Sequence, residues 1–495
     1  MNSSKMLRMP SQENLEIGGN EKFIFISSIL LWLFIVVIYF FNLWGGSLRT
    51  WDESLTAERS REFLLTDDIW LPHLNFSPDF NKPPLYYWLS ALTFKIFGVN
   101  EFSVRFWSVI FAIGCMIFVY QMGCKLSGNR WIALFSLFLL ATNPHWINKT
   151  REGLLDSGLL CGMLGGIYFL CFSVRSRGKV FLSGLFLAIG GLIKGPLVLL
   201  SLIIPISGLI FKKRKIYGTK DIIFVLCIYL LVVLPYYVIQ FIRWGNEYGE
   251  RYFYYNIIDR FFQGIEGHGR EPFFYFTQLL KLSPVSLIYF LASLGILLKR
   301  TQRQSHVWAP FLLFTLVWFI IINISASKRD LYLLVLYPFV AMITGLLGGE
   351  LVQLLRNLKL RNGLICVSMI IPICFFIDNY QFKLDFNPYL KQIGIYLKNV
   401  YEPQDSVIVE DGARNVVLFY SEIPQPIQIV SIKTLPEVLK GNFIQGKNKT
   451  YMVVRKNKKA EFVSQIQSIS MLESQIIYEN KKFIIILILS RFFKG

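Results

Sequence analysis

The sequence predicts an all-α polytopic membrane protein with a small α/β domain at its C-terminus. Three observations predict it. The 495 residues are 54% hydrophobic and 16% aromatic, and the mean hydropathy is +0.47, an apolar content that a soluble domain rarely reaches. Apolar runs able to cross about 30 Å of hydrocarbon recur along the chain, separated by short basic turns. After the last run comes a more polar stretch of helical and strand-like segments.

There are about eleven candidate spans of this kind. They lie near 23–44, 102–121, 131–147, 154–173, 180–193, 196–211, 221–241, 276–298, 307–324, 331–349 and 363–378. The first is expected to be a retained helix, because residues 1–22 are polar and no small-residue cleavage site follows it. The fifth is short, and is expected to be tilted, partly re-entrant or fused with the sixth through Lys194-Gly195-Pro196.

Charge sets the expected orientation. Only 17% of residues are charged, yet the formal net charge is +19. In a soluble protein that excess would suggest nucleic acid. Here it sits largely in short loops and reads as topology, so no nucleic-acid partner is expected. Lys125/Arg130, Arg175/Arg177/Lys179, Lys212-Lys213-Arg214-Lys215, Lys299/Arg300/Arg303 and Arg356/Lys359/Arg361 fall on one side with the N-terminus. The positive-inside rule makes that side cytoplasmic. Segments 45–101, 148–153, 194–195, 242–275, 325–330 and everything after 378 then face outward. The expected division is a membrane domain, 1–378, carrying the outer loop 45–101, and an extracytoplasmic α/β domain, 379–495. In the latter, 388–400 has helical spacing, and 407–409, 427–430, 451–454 and 483–489 read as strands. The seven cysteines lie in or beside apolar runs with no CxxC pair, so they read as buried apolar residues.

The chemistry-bearing residues collect in the outward segments. Asp52 and Glu53 open the first outer loop, and Glu58, Arg59, Arg61 and Glu62 follow at helical spacing. These helix charges fit an interfacial helix or a solvated surface. Lys82 precedes Pro83-Pro84, which stiffen the return to the bilayer, and Tyr86-Tyr87-Trp88 reads as an interface belt. Asp156 sits a turn inside the fourth run, where an unpaired acid is costly. Arg151 and Lys149 are its nearest candidate partners, and His145 reads as structural. Arg260, His268 and Arg270 precede the eighth run, and Lys328-Arg329-Asp330 with Tyr332 opens the tenth.

Separated acids and several cations on one face suit transfer of a sugar from a polyprenyl phosphate. The lipid tail needs a membrane groove. The phosphate leaving group needs fixed positive charge, for which Lys82, Arg260, Arg270, Lys328 and Arg329, with Tyr332, are candidates. The acceptor hydroxyl needs a base, for which Asp52 is placed, with Glu53 beside it and Asp156 able to orient it or to hold a cation. A single displacement would invert the anomeric centre. A lipid-linked sugar flippase or transporter is the alternative. It would place ionisable groups near the bilayer midplane, with an internal repeat as a further sign, and no clear repeat is found.

The stretches WDESLTAERSREFL, NKPPLYYWLSAL, REGLLDSGLL, GGLIKGPLVLL, LPYYVI, HGREPFFYF and SKRDLYLLVLYP run in order from about residue 51 to 338. Together they resemble the bacterial polyprenyl-phosphate-sugar glycosyltransferases related to protein O-mannosyltransferases and to the lipid A aminoarabinose transferase. The resemblance implies a GT-C fold and a lipid-linked donor. It implies a location in the bacterial inner membrane with the site on the extracytoplasmic face, and an envelope acceptor: a glycolipid such as lipid A, a polysaccharide or a protein. It also implies Asp52 as base, Lys82 as the Lys of Lys-Pro-Pro and Asp156 as the second-loop acid. Two positions depart from the aminoarabinose pattern: Asn81 replaces an acid before Lys-Pro-Pro, and Leu55 replaces an arginine three residues after the first acid. No cofactor is therefore expected with certainty, and a divalent metal at His268 is left open.

Overall fold

The computed structural model describes residues 21–172, 176–210, 217–299, 308–354, 358–410, 414–444, 449–469 and 472–490. Several basic loop residues behind the topology reading, namely Arg175, Lys212, Lys213, Arg214, Lys215, Arg300, Arg303 and Arg356, lie outside them. The chain divides into two compact units. The first is Met1–Phe41, Phe80–Tyr86 and Phe106–Phe382; the second is Asn42–Asp79, Tyr87–Arg105 and Lys383–Gly495.

In the first unit a helix falls on each expected apolar run. Among the described residues, two helices are long and apolar enough to cross a membrane by themselves, and up to three if a bent pair counts as one span. Others, such as Asp156–Cys171 and Ala309–Ile324, are shorter apolar helices of 10–17 residues. The eighth run is bent by 105° between Phe274–Leu282 and Pro284–Gly295. The fifth and sixth runs are not one helix. Arg177–Lys194 stops at Gly195, whose φ of 92° only glycine adopts readily, and a 3-10 segment, Pro196–Leu202, follows.

Helices Asp156–Cys171 and Arg177–Lys194 form a tight antiparallel hairpin. Glycine makes the close approach possible: a Cβ on Gly162 would lie 2.7 Å from the Phe186 carbonyl oxygen and 2.8 Å from the Gly190 Cα. Without a strong hydrophobic drive between helices in lipid, such backbone proximity is a main source of association. The hairpin brings the first residue of one helix level with the last of the other, Asp156 beside Lys194.

The second unit contains a five-stranded sheet. Its spatial order is Gln428–Val430, Ser406–Glu410, Lys449–Arg455, Phe483–Ser490, Leu472–Glu479. The first three strands are parallel, and the last two join antiparallel. Side chains alternate across it. Ile408, Met452 and Ile486 pack on one face with Leu439 and Phe462. Val407, Val453 and Ile485 pack on the other with Ile393 of helix Pro388–Val400, and with Leu48, Ala57, Phe94 and Val104. The juxtamembrane segments thus share a core with the C-terminal sheet inside one unit.

Helix Asp52–Glu62 carries no apolar stripe, yet Glu53 and every residue from Thr56 to Glu62 are buried. Its charges are paired rather than solvated. Arg61 grips Glu58 through two hydrogen bonds of 2.9 and 2.6 Å and reaches the Ile423 carbonyl at 3.2 Å. Arg59 holds Asp79 at 2.9 and 2.6 Å. Glu62 accepts the backbone N–H groups of Asn75 and Phe76 at 2.6 and 2.9 Å. These two residues turn the small hairpin His73–Leu74/Ser77–Pro78 with φ of 55° and 60°, a conformation that costs a phenylalanine energy. The hydrogen bonds that Glu62 accepts offset that cost. Burial, then the charge of Glu58, push its carboxyl from 4.5 up to about 8, against the pull of the two N–H donors.

Gly162→Leu should destabilise the purified protein by about 1–3 kcal/mol or more, since backbone rather than a flexible side chain must yield; a thermal melt in detergent reads it. A raised acid pKa contributes stability that is fully present below the unfolded value and is lost as pH rises through the folded value. The Glu62 contribution should therefore fade between about pH 4.5 and about 8. Glu62→Gln should flatten that part of the pH dependence, read as hydrogen exchange at residues 73–78.

Candidate active site

In the first unit the segments that carry Lys82 and Asp156 are tied together. Tyr86, four residues after Lys82, shares a 2.6 Å hydrogen bond with the Ser108 hydroxyl. That hydroxyl lies 2.7 Å from the Leu154 carbonyl and 2.9 Å from the Leu154 N–H. The Lys82-Pro83-Pro84 segment is thereby tied to the turn that precedes Asp156. Phe80 packs edge-on against Trp244 and Tyr248. Tyr248 stacks on Tyr252, whose hydroxyl bonds Tyr237 at 2.7 Å and leaves no room for a Cβ on Gly195. An aromatic wall therefore joins the Lys82 approach to the Lys194-Gly195 corner.

Asp156 is buried and paired with Lys194, not with Arg151 or Lys149 as its neighbours in sequence suggest. An acid at a helix N-terminus and a lysine at a helix C-terminus are each favoured by the local dipole, and the hairpin sets them together. Arg151 is fully buried and serves the backbone instead. It donates to the carbonyls of Phe41 and Gln381 and lies over the Tyr380 ring at 4.7 Å. Lys149 stands between Glu152 at 3.5 Å and Asp330 at 3.4 Å. His145 bonds the Tyr337 hydroxyl at 2.8 Å and Asp330 at 3.3 Å. Burial alone would raise the Asp330 carboxyl; the His145 contact and the Lys149 charge outweigh it and hold the group well below the usual carboxylate range.

The two outer loops that precede the eighth and tenth runs meet. Gly269 bridges Ser327, and the Ala326 N–H donates to the Phe261 carbonyl at 2.8 Å. The Lys328 N–H donates to the His268 carbonyl at 2.9 Å. Lys328 is buried, with its ammonium on the Ser325 carbonyl at 2.6 Å. The Arg329 N–H donates to the Tyr275 hydroxyl at 3.0 Å, and Tyr332 lies on the turn that follows, its carbonyl accepting from Trp318 at 3.0 Å. Arg260 pairs with Glu266 at 2.8 Å, and His268 lies 3.7 Å from the same carboxylate. Arg270 is exposed and donates to the Gly267 and Gly269 carbonyls.

Asp52 and Glu53 belong to the second unit. Trp51, just before them, has φ of 69°, a genuine outlier for a bulky residue and the kind of strain that collects at functional sites. The strain turns the chain abruptly, so that Asp52 is the first helical residue and is half-buried. Glu53 is fully buried, and both its oxygens are engaged, one by Arg105 at 2.7 Å and one by the Arg49 N–H at 2.7 Å. Tyr87 is buried among Arg59, Asp79 and Asp52. Burial pushes its phenol up to about 12, Arg59 opposing and the two carboxylates adding to the rise.

The described residues do not group into a metal centre. Among the described residues no three His, Cys, Asp or Glu side chains are grouped to hold an ion. His268 lies beside the Glu266 carboxylate, and position 81 is an asparagine. Lys194 and Arg105 are the residues that sequence reasoning passed over. Lys194 stood in view beside Gly195-Pro196; the signal for Arg105 was an arginine four residues into a helix that turns apolar after it.

Comparison with known proteins finds similar chains. A family profile described as dolichyl-phosphate-mannose-protein mannosyltransferase matches residues 81–239. An undecaprenyl phosphate-alpha-4-amino-4-deoxy-L-arabinose arabinosyl transferase of Photorhabdus laumondii is 27% identical over 362 residues, which cover 70% of this chain and 63% of that protein. A protein of Aquifex aeolicus is 26% identical over 346 residues, covering 67% of this chain and 66% of its own length. The chain thus spans somewhat under two thirds of these relatives. In fold, it superposes on ArnT from Cupriavidus metallidurans bound to undecaprenyl phosphate with a TM-score of 0.73 and 15% identity, over 93% of this chain and 97% of that one. The chain has the GT-C fold of ArnT, mostly helical with a C-terminal sheet, and is similar in sequence to the bacterial polyprenyl-phosphate-sugar glycosyltransferases of the protein O-mannosyltransferase and aminoarabinose-transferase kind.

Proposed function

We propose that the chain is an integral membrane glycosyltransferase that moves a sugar from a polyprenyl-phosphate donor to an envelope acceptor, a glycolipid such as lipid A, a polysaccharide or a protein. One observation carries the reading. On an ArnT-like fold, the Lys82 segment is tied to the turn before Asp156, Asp156 pairs with Lys194, and the 260–270 and 325–332 loops are hydrogen-bonded to each other.

In this reading the chain crosses a bacterial inner membrane about eleven times, with these residues and the C-terminal sheet on the extracytoplasmic side. The Asp52 carboxylate takes the proton of the acceptor hydroxyl. The acceptor oxygen forms a bond to the anomeric carbon as the bond to the phosphate oxygen breaks, and the electron pair leaves with polyprenyl phosphate. One such displacement inverts the anomeric centre. Lys82 is assigned to the donor phosphate, with Lys328, Arg329, Arg260, Arg270 and Tyr332 around it, where fixed positive charge stabilises the developing anion. Asp156 is assigned to orienting the site through Lys194. Glu53, with both oxygens engaged, is assigned to holding the Asp52 turn rather than to proton transfer.

Purified protein in detergent should release polyprenyl phosphate from a polyprenyl-phosphate sugar when given crude envelope acceptors, without any membrane gradient. A lipid-linked sugar flippase would give no release. Asp52→Asn should lower turnover by about 10²–10⁴-fold, the usual worth of a general base, with an unchanged melting curve. Lys82→Ala should weaken donor binding by about tenfold or more, the loss of one charged hydrogen bond. Normal turnover in the first variant or unaltered donor affinity in the second would remove that residue from its role.

A further inference from the structure

Arg105 is fully buried, and all five of its N–H groups are engaged within the second unit. Nε meets Glu53 at 2.7 Å. One terminal nitrogen donates to the Leu43 and Gly45 carbonyls, both at 3.0 Å, and the other to those of Ser47 and Leu384, both at 3.2 Å. A guanidinium presents five donors in a fixed fork; lysine presents three on one atom. This site uses the whole fork.

What the fork holds is the turn that delivers Asp52. Glu53, fixed by Arg105 on one oxygen, takes the Arg49 N–H on the other, and the Ser54 N–H returns to the Arg49 carbonyl at 3.1 Å. Segment 49–54 is thereby closed on itself, with Trp51 at φ 69° inside it. The C-terminal part of the unit reinforces the same stretch of chain: Lys391 donates to the Gly46 carbonyl at 2.7 Å, and the Leu48 N–H donates to the Tyr420 hydroxyl at 2.9 Å.

We propose that Arg105 is a positioning residue for the reaction: through Glu53 it holds the strained turn at Trp51 and so sets the direction of the Asp52 carboxylate. A residue that served stability alone would not need to be linked to the one bulky outlier next to the proposed base. The inference rests on the reading of Asp52 as base.

The test uses the full-length protein in detergent, a polyprenyl-phosphate sugar donor and a crude envelope acceptor. Arg105→Lys keeps the charge but loses the fork. It should lower kcat by about a hundredfold, the effect of displacing a catalytic group by roughly 1 Å, with the donor KM within about twofold of the parent. Combined with Asp52→Asn it should add nothing to the residual turnover left by Asp52→Asn alone, because a residue acting through another is non-additive with it. An unchanged kcat, a loss carried by KM, or losses that multiply in the double variant would overturn the proposal. Should Arg105→Lys not yield folded protein, Glu53→Gln is judged by the same three readings. Wild-type turnover in Asp52→Asn would defeat the base assignment and this inference together; an inactive Asp52→Asn beside a fully active Arg105→Lys would defeat this inference alone.

Discussion

A charge taken out of water must be met by a partner, or the fold loses several kcal/mol to it. That constraint shapes both units. In the second, Arg105 can be buried because Glu53 and four carbonyls take every donor it has. Once buried, it dictates the path of residues 43–54. Arg61 with Glu58 and Arg59 with Asp79 follow the same rule along a helix that has no apolar face to bury. In the first unit the rule selects Lys194 for Asp156 and sets His145 and Lys149 around Asp330.

The pairing in the first unit depends in turn on glycine. Gly162 and Gly190 let two helices approach to backbone contact, and the antiparallel hairpin then sets opposite helix ends side by side. Packing in an apolar medium and ion pairing at its edge are therefore one design. Close approach in the hairpin creates the pair, and the pair answers the charge that Asp156 would otherwise leave buried alone. In the proposed reaction, cations and acids held rigidly by neighbours would need no reorganisation as charge develops on a phosphate.

The apolar runs were legible as helices, since one lies on each, but among the described residues only two are long and apolar enough to cross a membrane by themselves, or three if a bent pair counts as one. The strands at 406–410, 449–455 and 483–490 were legible from their β-branched residues. Strand Leu472–Glu479 was not: it is an edge strand, LESQIIYE, whose polar residues face outward and break the alternation. The candidate site was half legible. Asp52, Lys82 and Asp156 stand out because acids and lysines at membrane boundaries have few innocent reasons to be there. Their partners did not stand out. Arg105 and Lys194 lie 52 and 38 residues from the carboxylates they meet, and only tertiary packing creates those neighbours. Nearness in sequence misdirected Asp156 toward Arg151, which serves backbone carbonyls instead.

In the proposed function the Asp52 carboxylate, the Lys82 ammonium and the Asp156–Lys194 pair serve one reaction. An experimental structure of the protein with polyprenyl phosphate bound tests it most directly. The account predicts phosphate oxygens within hydrogen-bonding distance of Lys82, about 2.7–3.2 Å, with Asp52 facing the phosphate across the space a sugar would fill. A phosphate seated elsewhere, or Asp52 turned away from it, would contradict the account.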